Sequence, residues 1–275
     1  TQGTCTSASI RLSRSRRKYF QKAFSAIYAC VAALTMSTTA SAEPFAYITD
    51  SYARVWTIDT ATHTLVDRAG HGNGASPTGV AVSPDGSTTY IADFGRNRVW
   101  VTRPEGSVRV PVGTNHPDYG IVGSMPVGVA VTTDGKFAYV TNSWEHSVSV
   151  IDAATKTVVV TAIKVGMYPR GVQVSPNGRF AYVANTQGNS VSVIDTTSNA
   201  VVATVPVGAS PGNLIVSPDS RFVYVANIAE NTVSVVSTAS NAVVATIAVG
   251  LGPLGIDITP NGDFVYVSNY QSNKV

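Results

Sequence analysis

Cysteine is nearly absent from this chain of 275 residues, which contains only Cys5 and Cys30. Both lie within the first 42 residues, so the rest of the chain has no thiol for a disulfide, a cysteine nucleophile or a thiolate metal site. Charged residues are also few, at 13% of the sequence, and no C-x-x-C-H haem attachment motif occurs. The body of the chain therefore needs an apolar core, and its 44% hydrophobic content can supply one.

Positive charge is scarce outside the N-terminal segment, although the net charge of the whole chain is +3. Six basic residues and no acidic ones lie in residues 1–42, which leaves 13 basic and 16 acidic residues in the remainder. The body therefore carries a net charge of −3 and lacks the basic surplus that binding to a phosphate backbone requires. We expect no nucleic-acid partner.

Residues 1–42 have the organisation of a secretory signal peptide. A basic stretch, RLSRSRRKYFQK, precedes a largely apolar run of fourteen residues at 23–36, and STTASA then ends in an A-x-A arrangement at Ala42. As a helix the apolar run spans about 21 Å, which is short of the ~30 Å hydrocarbon core and disfavours a membrane anchor. We expect cleavage after Ala42, a mature protein of residues 43–275 in the periplasm, secreted or at the cell surface, and no membrane insertion.

The body repeats one short pattern every 42 to 49 residues. An S-P-D-G-like turn and a proline that opens an apolar strand recur in step with a Y-V-x-N-like motif. Each unit contains four short segments rich in β-branched residues, separated by turn formers. Repeats of this length predict an all-β fold, a β-propeller with four strands in each blade. The motif begins at Tyr47, Tyr90, Tyr139, Tyr182, Tyr224 and Tyr266.

The motifs YVTN, SPDG, VSVID and VVATI resemble the YVTN family of β-propeller repeats, which occurs in bacterial exported proteins and archaeal surface-layer proteins. The resemblance extends from Phe45 to Val275. It implies a strand order in each blade with GVAV innermost (A), then YVAN (B), VSVID (C) and VVATI outermost (D). Complete blades are then expected at about 77–112, 126–166, 169–208 and 211–250.

With this phasing the mature chain begins at strand B of its first unit and ends within the sixth. We therefore expect about five and a half blades, from a truncated propeller that has seven blades and is monomeric when complete. A natural six-unit ring that closes imperfectly is the alternative.

Several recurring polar residues are predicted to have structural roles. The tyrosine of each motif should pack between blades with its hydroxyl satisfied nearby. The Asn or Asp that ends the motif should accept backbone N–H groups through its side-chain oxygen. Turn positions, and not catalytic ones, are predicted for Asp59, Asp85, Asp134, Asp152, Asp195 and Asp219.

Sequence variety is concentrated in the B–C turns and the D–A connections, which we expect on one face of the propeller, here called the loop face. The longest insertion relative to the other repeats is in residues 113–126, on this face. Insertions in repeat proteins often map to the binding face, although a freely drifting solvated loop is an equal alternative. No H-x-H or H-x-x-x-H spacing supports a metal site, and no cofactor is predicted. The predicted ligand contacts are His71, His116, Asp118, Tyr119, Trp144, Glu145, His146, Tyr168 and Arg170.

Three functions remain open from the sequence. The first is an exported, non-catalytic propeller that binds a protein or a small molecule, or acts as a scaffold, through the loop face. The second is a hydrolase of the lactonase type, which shares this architecture and would need His, Arg and carboxylate side chains that converge at the central mouth. No motif identifies such a set, which His146, Glu145, Arg170 and Asp118 could supply. The third is a structural repeat protein of the cell surface.

Overall fold

The computed structural model describes residues 45–50, 54–70, 76–103, 106–113 and 124–275. The predicted signal peptide therefore lies outside the described residues. Within them the chain forms 21 strands in six antiparallel sheets, together with one 3₁₀ turn at Phe94–Arg96. The fold is all-β, as the repeat pattern predicts.

Four of the sheets are complete blades in which the strands follow one another in the order A, B, C, D. Blade 2 contains β4 (Pro77–Val82), β5 (Thr89–Asp93), β6 (Arg98–Arg103) and β7 (Gly106–Pro111). Blade 3 contains β8 (Pro126–Val131), β9 (Phe137–Asn142), β10 (Ser147–Asp152) and β11 (Thr157–Lys164). Blade 4 contains β12 (Pro169–Val174), β13 (Phe180–Asn185), β14 (Ser190–Asp195) and β15 (Ala200–Pro206). Blade 5 contains β16 (Pro211–Val216), β17 (Phe222–Asn227), β18 (Thr232–Ser237) and β19 (Ala242–Ala248).

Among the described residues, the first and last sheets have three and two strands, as the phasing predicts. Blade 1 has the B, C and D strands, which are β1 (Phe45–Asp50), β2 (Arg54–Asp59) and β3 (Thr64–Gly70). Blade 6 has the A and B strands, β20 (Pro253–Ile258) and β21 (Val265–Asn269). The predicted positions of the four complete blades are confirmed to within a few residues.

The core consists of a series of apolar layers between neighbouring blades. In one layer Tyr182, Val193 and Val205 of blade 4 pack with Leu214 and Val223 of blade 5, and all five are buried. Equivalent layers join blades 2 and 3 and blades 3 and 4. Each side chain buried in this way contributes about 1.5–3 kcal/mol, so the interfaces between blades stabilise the fold.

Aspartate side chains accept hydrogen bonds within the A–B and C–D turns, as predicted. Asp134 Oδ1 accepts hydrogen bonds from the Thr132 hydroxyl at 2.6 Å and the Lys136 N–H at 3.0 Å, and the Thr132 contact lowers the pKa of Asp134. In the next C–D turn Asp152 Oδ1 accepts from the backbone N–H of Thr155 at 2.8 Å, which lowers the pKa of Asp152. The same types of contact, with a lowered pKa, occur at Asp59, Asp85, Asp195 and Asp219.

Glycine allows the A strands to approach one another around the axis. A Cβ atom on Gly128 would overlap the backbone carbonyl oxygen of Arg170 in the next A strand, and Gly79 faces Val127 in the same way. In blade 5 the equivalent residue is Asn213, whose side-chain amide donates to the Leu254 carbonyl oxygen at 2.9 Å. At this position the carbonyl of the neighbouring strand is thus either packed against glycine or hydrogen-bonded by an amide.

Three of the motif tyrosines are buried between blades, Tyr90, Tyr139 and Tyr182, whereas Tyr266 is 55% exposed. The hydroxyl groups of the buried tyrosines differ in their contacts. The Tyr139 hydroxyl donates to Asn199 Oδ1 of the next blade at 2.7 Å, as predicted. The Tyr90 hydroxyl has no hydrogen-bond partner among the described residues, so the prediction does not hold there. Burial raises the pKa of both Tyr139 and Tyr182 to about 12.

We expect alkali to weaken the fold through these tyrosines. Their pKa of about 12 in the folded protein exceeds the value of about 10 of an exposed phenol. Their contribution to stability is therefore complete below about pH 10 and is lost as the pH rises through about 12. In an alkaline titration followed by tyrosinate absorbance, a fraction of the tyrosines should ionise only near pH 12. Tyr139→Phe and Tyr182→Phe should each reduce that fraction. Titration of every tyrosine near pH 10 in the folded protein would contradict this.

One predicted role of the motif-ending asparagines is wrong. The Asn142 side-chain amide donates to the hydroxyl oxygens of Ser147 at 3.2 Å and Ser149 at 2.8 Å, while its Oδ1 has no partner among the described residues. The Ser149 hydroxyl donates to the Thr161 carbonyl, so its oxygen is available as an acceptor and selects the amide as donor. Asn185 and Asn227 behave in the same way.

The prediction is correct in blades 1 and 2, where an aspartate ends the motif. Asp93 Oδ1 accepts from the Ser76 N–H at 2.9 Å, and Asp50 Oδ1 accepts from the Arg54 N–H at 3.1 Å. In these blades a tryptophan replaces the serine on the C strand, and its indole N–H requires an acceptor. The motif therefore occurs as two chemically matched pairs, Asn with Ser or Asp with Trp.

Candidate functional site on the loop face

Hydrogen bonds join the B–C turns to the D–A connections, as the predicted loop face requires. The Val165 N–H donates to the His146 carbonyl oxygen at 3.0 Å within blade 3. The Thr186 N–H of blade 4 donates to the Tyr168 carbonyl oxygen at 2.9 Å. The connection from Val165 to Tyr168 is thus held by the B–C turns of both flanking blades.

A further hydrogen bond repeats at each described junction from blade 2 to blade 6. The last residue of the B–C turn has a left-handed backbone, and its side chain accepts from the N–H of the residue before the A-strand proline. At 2.8 to 3.2 Å the acceptor–donor pairs are Asn97 with Met125, His146 with Tyr168, Asn189 with Ser210, and Asn231 with Gly252.

His146 thus occupies an asparagine position of the repeat. Its Nδ1 accepts the Tyr168 N–H at 3.0 Å, so the neutral imidazole carries its proton on Nε2. Tyr168 itself has φ of 52°, a left-handed conformation that is strained for a bulky side chain. Glycine occupies the equivalent position in the last junction, as Gly252. The His146 hydrogen bond therefore supports a backbone that would otherwise be unfavourable.

Three aromatic side chains meet at this junction and are called the aromatic cluster: Trp144, His146 and Tyr168. The Trp144 and Tyr168 rings meet edge to face, with centroids 6.0 Å apart and planes at 87°. The His146 and Tyr168 rings are 5.1 Å apart. Trp144 is 49% exposed and the adjacent Met167 is 52% exposed. The cluster thus presents an apolar surface to solvent beside the polar imidazole.

The structure brings only some of the predicted contacts together. Glu145 lies next to the cluster, with its Oε1 close to Gly113. Arg170 is the second residue of β12, and its carbonyl oxygen accepts the Thr141 hydroxyl at 2.8 Å. The four other predicted contacts lie outside the described residues: His71, His116, Asp118 and Tyr119.

Two features escaped sequence reasoning, and both were visible in the repeat alignment. NSWEHS aligns with NTQGNS, which places His146 opposite Asn189 and indicates an acceptor role. Met167 precedes Tyr168 in the connection that leads into blade 4, where the connection into blade 5 has Ala209.

Residues 208–212 spell G-x-S-x-G, the pattern of a nucleophile elbow. Ser210 precedes β16, however, whereas the elbow requires a strand–turn–helix arrangement.

A separate cavity of about 370 Å³ lies along the axis, between the A strands. Its wall is mainly glycine and aliphatic side chains, such as Val129 and Leu214, and its polar members are Gln173, Asn213, Asp257 and Ser268. None of the predicted contacts that the structure describes belongs to this wall. The cavity and the aromatic cluster are therefore distinct features.

Within the described ranges, no three His, Cys, Asp or Glu side chains are grouped so that they could hold a metal ion. Among the same residues, no helix is long and apolar enough to cross a membrane.

Solved structures resemble this chain over most of its length. A proposed 6-phosphogluconolactonase from Bacteroides uniformis has a TM-score of 0.69 and 21% identity, with 84% of this chain and 76% of that chain covered. Virginiamycin B lyase from Staphylococcus aureus has a TM-score of 0.69 and 14% identity, with the same coverages. Hydrazine synthase from Kuenenia stuttgartiensis has a TM-score of 0.56 and 18% identity, with 88% and 97% covered. At these identities the likeness concerns the fold alone.

A comparison with curated proteins found no match. A family model described as a YNCE-like β-propeller matches residues 119–261, which is more than half of the chain.

Proposed function

This chain belongs to the YNCE-like β-propeller family, and we propose that it is an exported, non-catalytic binding module whose ligand contacts lie on the loop face. The aromatic cluster would be the centre of that contact, with Met167 beside it. The finer assignments to a YVTN-type repeat and to a periplasmic or surface location belong to the same proposal.

The observation that carries the proposal is the chemistry of one junction. Among the junctions that the structure describes, only the one between blades 3 and 4 combines His, Tyr and an exposed Trp, while the others use Asn with Met, Ser or Gly. Large aromatic side chains with a polar edge are enriched at binding sites, because they bury much area with little loss of conformational freedom. Met125 and Ser210 share the left-handed backbone of Tyr168 at the equivalent positions, so the aromatic side chains are what distinguish this junction.

A binding role is favoured over lactone hydrolysis by the engagement of His146. A general base needs a free nitrogen within hydrogen-bond reach of the proton that it removes. The Nδ1 of His146 already accepts the Tyr168 N–H, so Nε2 of the neutral ring carries the proton and is not a free base. This hydrogen bond favours a structural role for the His146 imidazole, which supports the backbone of the loop.

Tryptophan fluorescence provides the test, because Trp56 and Trp100 are bonded to aspartates while Trp144 faces solvent. We expect a saturable change in fluorescence with one of three probes: a neutral oligosaccharide, a proline-rich peptide or a γ-lactone. Tyr168→Ala should weaken binding by about tenfold or more, which corresponds to about 1.4 kcal/mol. Trp144→Ala removes the reporting indole, so its equal loss of affinity is measured by calorimetry.

Substitution of Val159, which is exposed on the outer strand β11, serves as the matched control and should leave binding unchanged. Turnover of the lactone that His146→Ala abolishes would support the hydrolase instead. Absence of a saturable response to all three probes would contradict the binding role of the cluster.

A further inference from the structure

We propose that His146 makes the aromatic cluster sensitive to acid, so that the loop between blades 3 and 4 loosens when the imidazole is protonated. This rests on the proposed function only for its consequence, namely that ligand binding at the cluster weakens in acid. The structural step concerns residues of this chain alone.

The repeat itself isolates the special feature of this junction. At the other described junctions the acceptor is the side-chain oxygen of Asn97, Asn189 or Asn231, and a carboxamide does not titrate. His146 provides the same acceptor from an imidazole, at the same left-handed backbone position. Imidazoles generally change their charge between about pH 5 and 8. One of a set of equivalent hydrogen bonds is therefore accepted by a group that can take up a proton.

Protonation removes the acceptor. The imidazolium ion carries a proton on both nitrogens, so Nδ1–H would face the N–H of Tyr168, and two donors cannot bond to each other. Either the ring must rotate away or the connection must move. In both cases Tyr168 loses the contact that supports its left-handed backbone, which is costly for a residue with this side chain.

The loss would extend beyond one hydrogen bond, because the same connection supports blade 4. The Tyr168 carbonyl oxygen accepts the Thr186 N–H at 2.9 Å. The Met167 carbonyl oxygen accepts the N–H groups of Gln187 and Gly188, each at 3.2 Å. Movement of the connection therefore displaces the Tyr168 ring against Trp144 and also disturbs the B–C turn of blade 4.

Among the residues that the structure describes, few charged or titratable groups lie on the elements that meet at His146. Glu145 precedes it in the turn, and Lys164 lies opposite Ser147 at the end of β11. Tyr168 contacts the imidazole ring, and Arg170 follows two residues later on β12. Blade 4 contributes Thr186, Gln187 and Gly188, which do not titrate.

Amide hydrogen exchange tests the structural step without any ligand. After correction for the intrinsic pH dependence of exchange, we expect the protection factor of the Tyr168 amide to fall by about tenfold between about pH 8 and pH 5. The Ser210 amide, which donates to Asn189 at the equivalent junction, provides an internal control and should change by less than about twofold.

His146→Asn restores the acceptor of the other junctions and is the decisive variant. It should keep the Tyr168 amide protected at both pH values. An equal loss of protection at Tyr168 and Ser210 in the wild type, or an unchanged pH dependence in His146→Asn, would overturn the proposal.

A separate fluorescence titration of Trp144 with the bound probe connects the two proposals. Binding that is weaker at about pH 5 in the wild type but not in His146→Asn supports regulation of the site. If no probe binds at either pH while the exchange result holds, the binding function fails and the acid response of the loop remains.

Discussion

Replacement of Gly128 by alanine is expected to lower the free energy of unfolding by about 3 kcal/mol, towards the upper end of the usual cost of overpacking. The added Cβ would overlap the backbone carbonyl oxygen of Arg170 and would also approach Thr141 Oγ1 at 3.1 Å. Neither atom can move easily, because the Thr141 hydroxyl donates to that same carbonyl at 2.8 Å. The strands β8 and β12 must therefore separate, which opens the packed layer between blades 3 and 4. Urea unfolding followed by circular dichroism measures the loss.

Gly135→Ala separates this packing effect from the general cost of replacing a glycine. Gly135 lies in an A–B turn with φ of 72°, and a Cβ there would only touch Pro84, at 3.5 Å. Its replacement should cost about 1 kcal/mol, from backbone strain alone. If Gly128→Ala were no more destabilising than Gly135→Ala, close approach of the A strands would not be what the glycine provides.

The second large effect is expected for Asp93→Ala, which should destabilise the protein by about 4 kcal/mol. Asp93 is fully buried and accepts hydrogen bonds from the Ser76 N–H, the Arg98 guanidinium at 3.2 Å and the Trp100 indole at 3.1 Å. The guanidinium groups of Arg98 and Arg109 also lie 4.6 and 4.8 Å from the Trp100 ring centroid. Removal of the carboxylate takes away the acceptor that these three donors share, and with it the charge that faces the Arg98 guanidinium.

Two further variants, Asp93→Asn and Asn142→Ala, show how much of this loss of stability depends on the charge of Asp93. Asp93→Asn keeps one acceptor oxygen but presents an amide to donors, so we expect a loss of about 2 kcal/mol. Asn142→Ala removes only the neutral contacts with Ser147 and Ser149 and should cost about 1–2 kcal/mol. Thermal and urea unfolding of the three variants tests the order. Equal losses for Asp93→Ala and Asn142→Ala would show that the Asp–Trp pair is no stronger than the Asn–Ser pair.

The blades could be predicted from the sequence because their signals are local. A run such as FAYVANTQGNSVSVID contains two β-branched strands around a turn, and the turn residues determine where the hairpin reverses. Five repeats of the proline that opens strand A then fix the phase of the whole array. The four complete blades therefore appear within a few residues of their predicted positions.

The partners of single side chains could not be predicted in the same way. Asn142 and Asp93 end the same motif, but one donates to serine hydroxyls and the other accepts from an indole and a guanidinium. Which of these occurs depends on the residue opposite on the C strand, Ser149 or Trp100. The sequence contains that difference, but its meaning depends on which side chains the register places face to face.

The sequence alone determined that this chain is a series of four-stranded blades with its variety confined to one face, because strand period and turn chemistry are properties of neighbouring residues. Only the tertiary structure decided what that variety does at the junction of blades 3 and 4. There, Trp144 and Tyr168 come into contact across 24 residues of sequence, and His146 supports a strained backbone in place of an asparagine. Such contacts depend on the packing of one blade against the next, which no local pattern specifies.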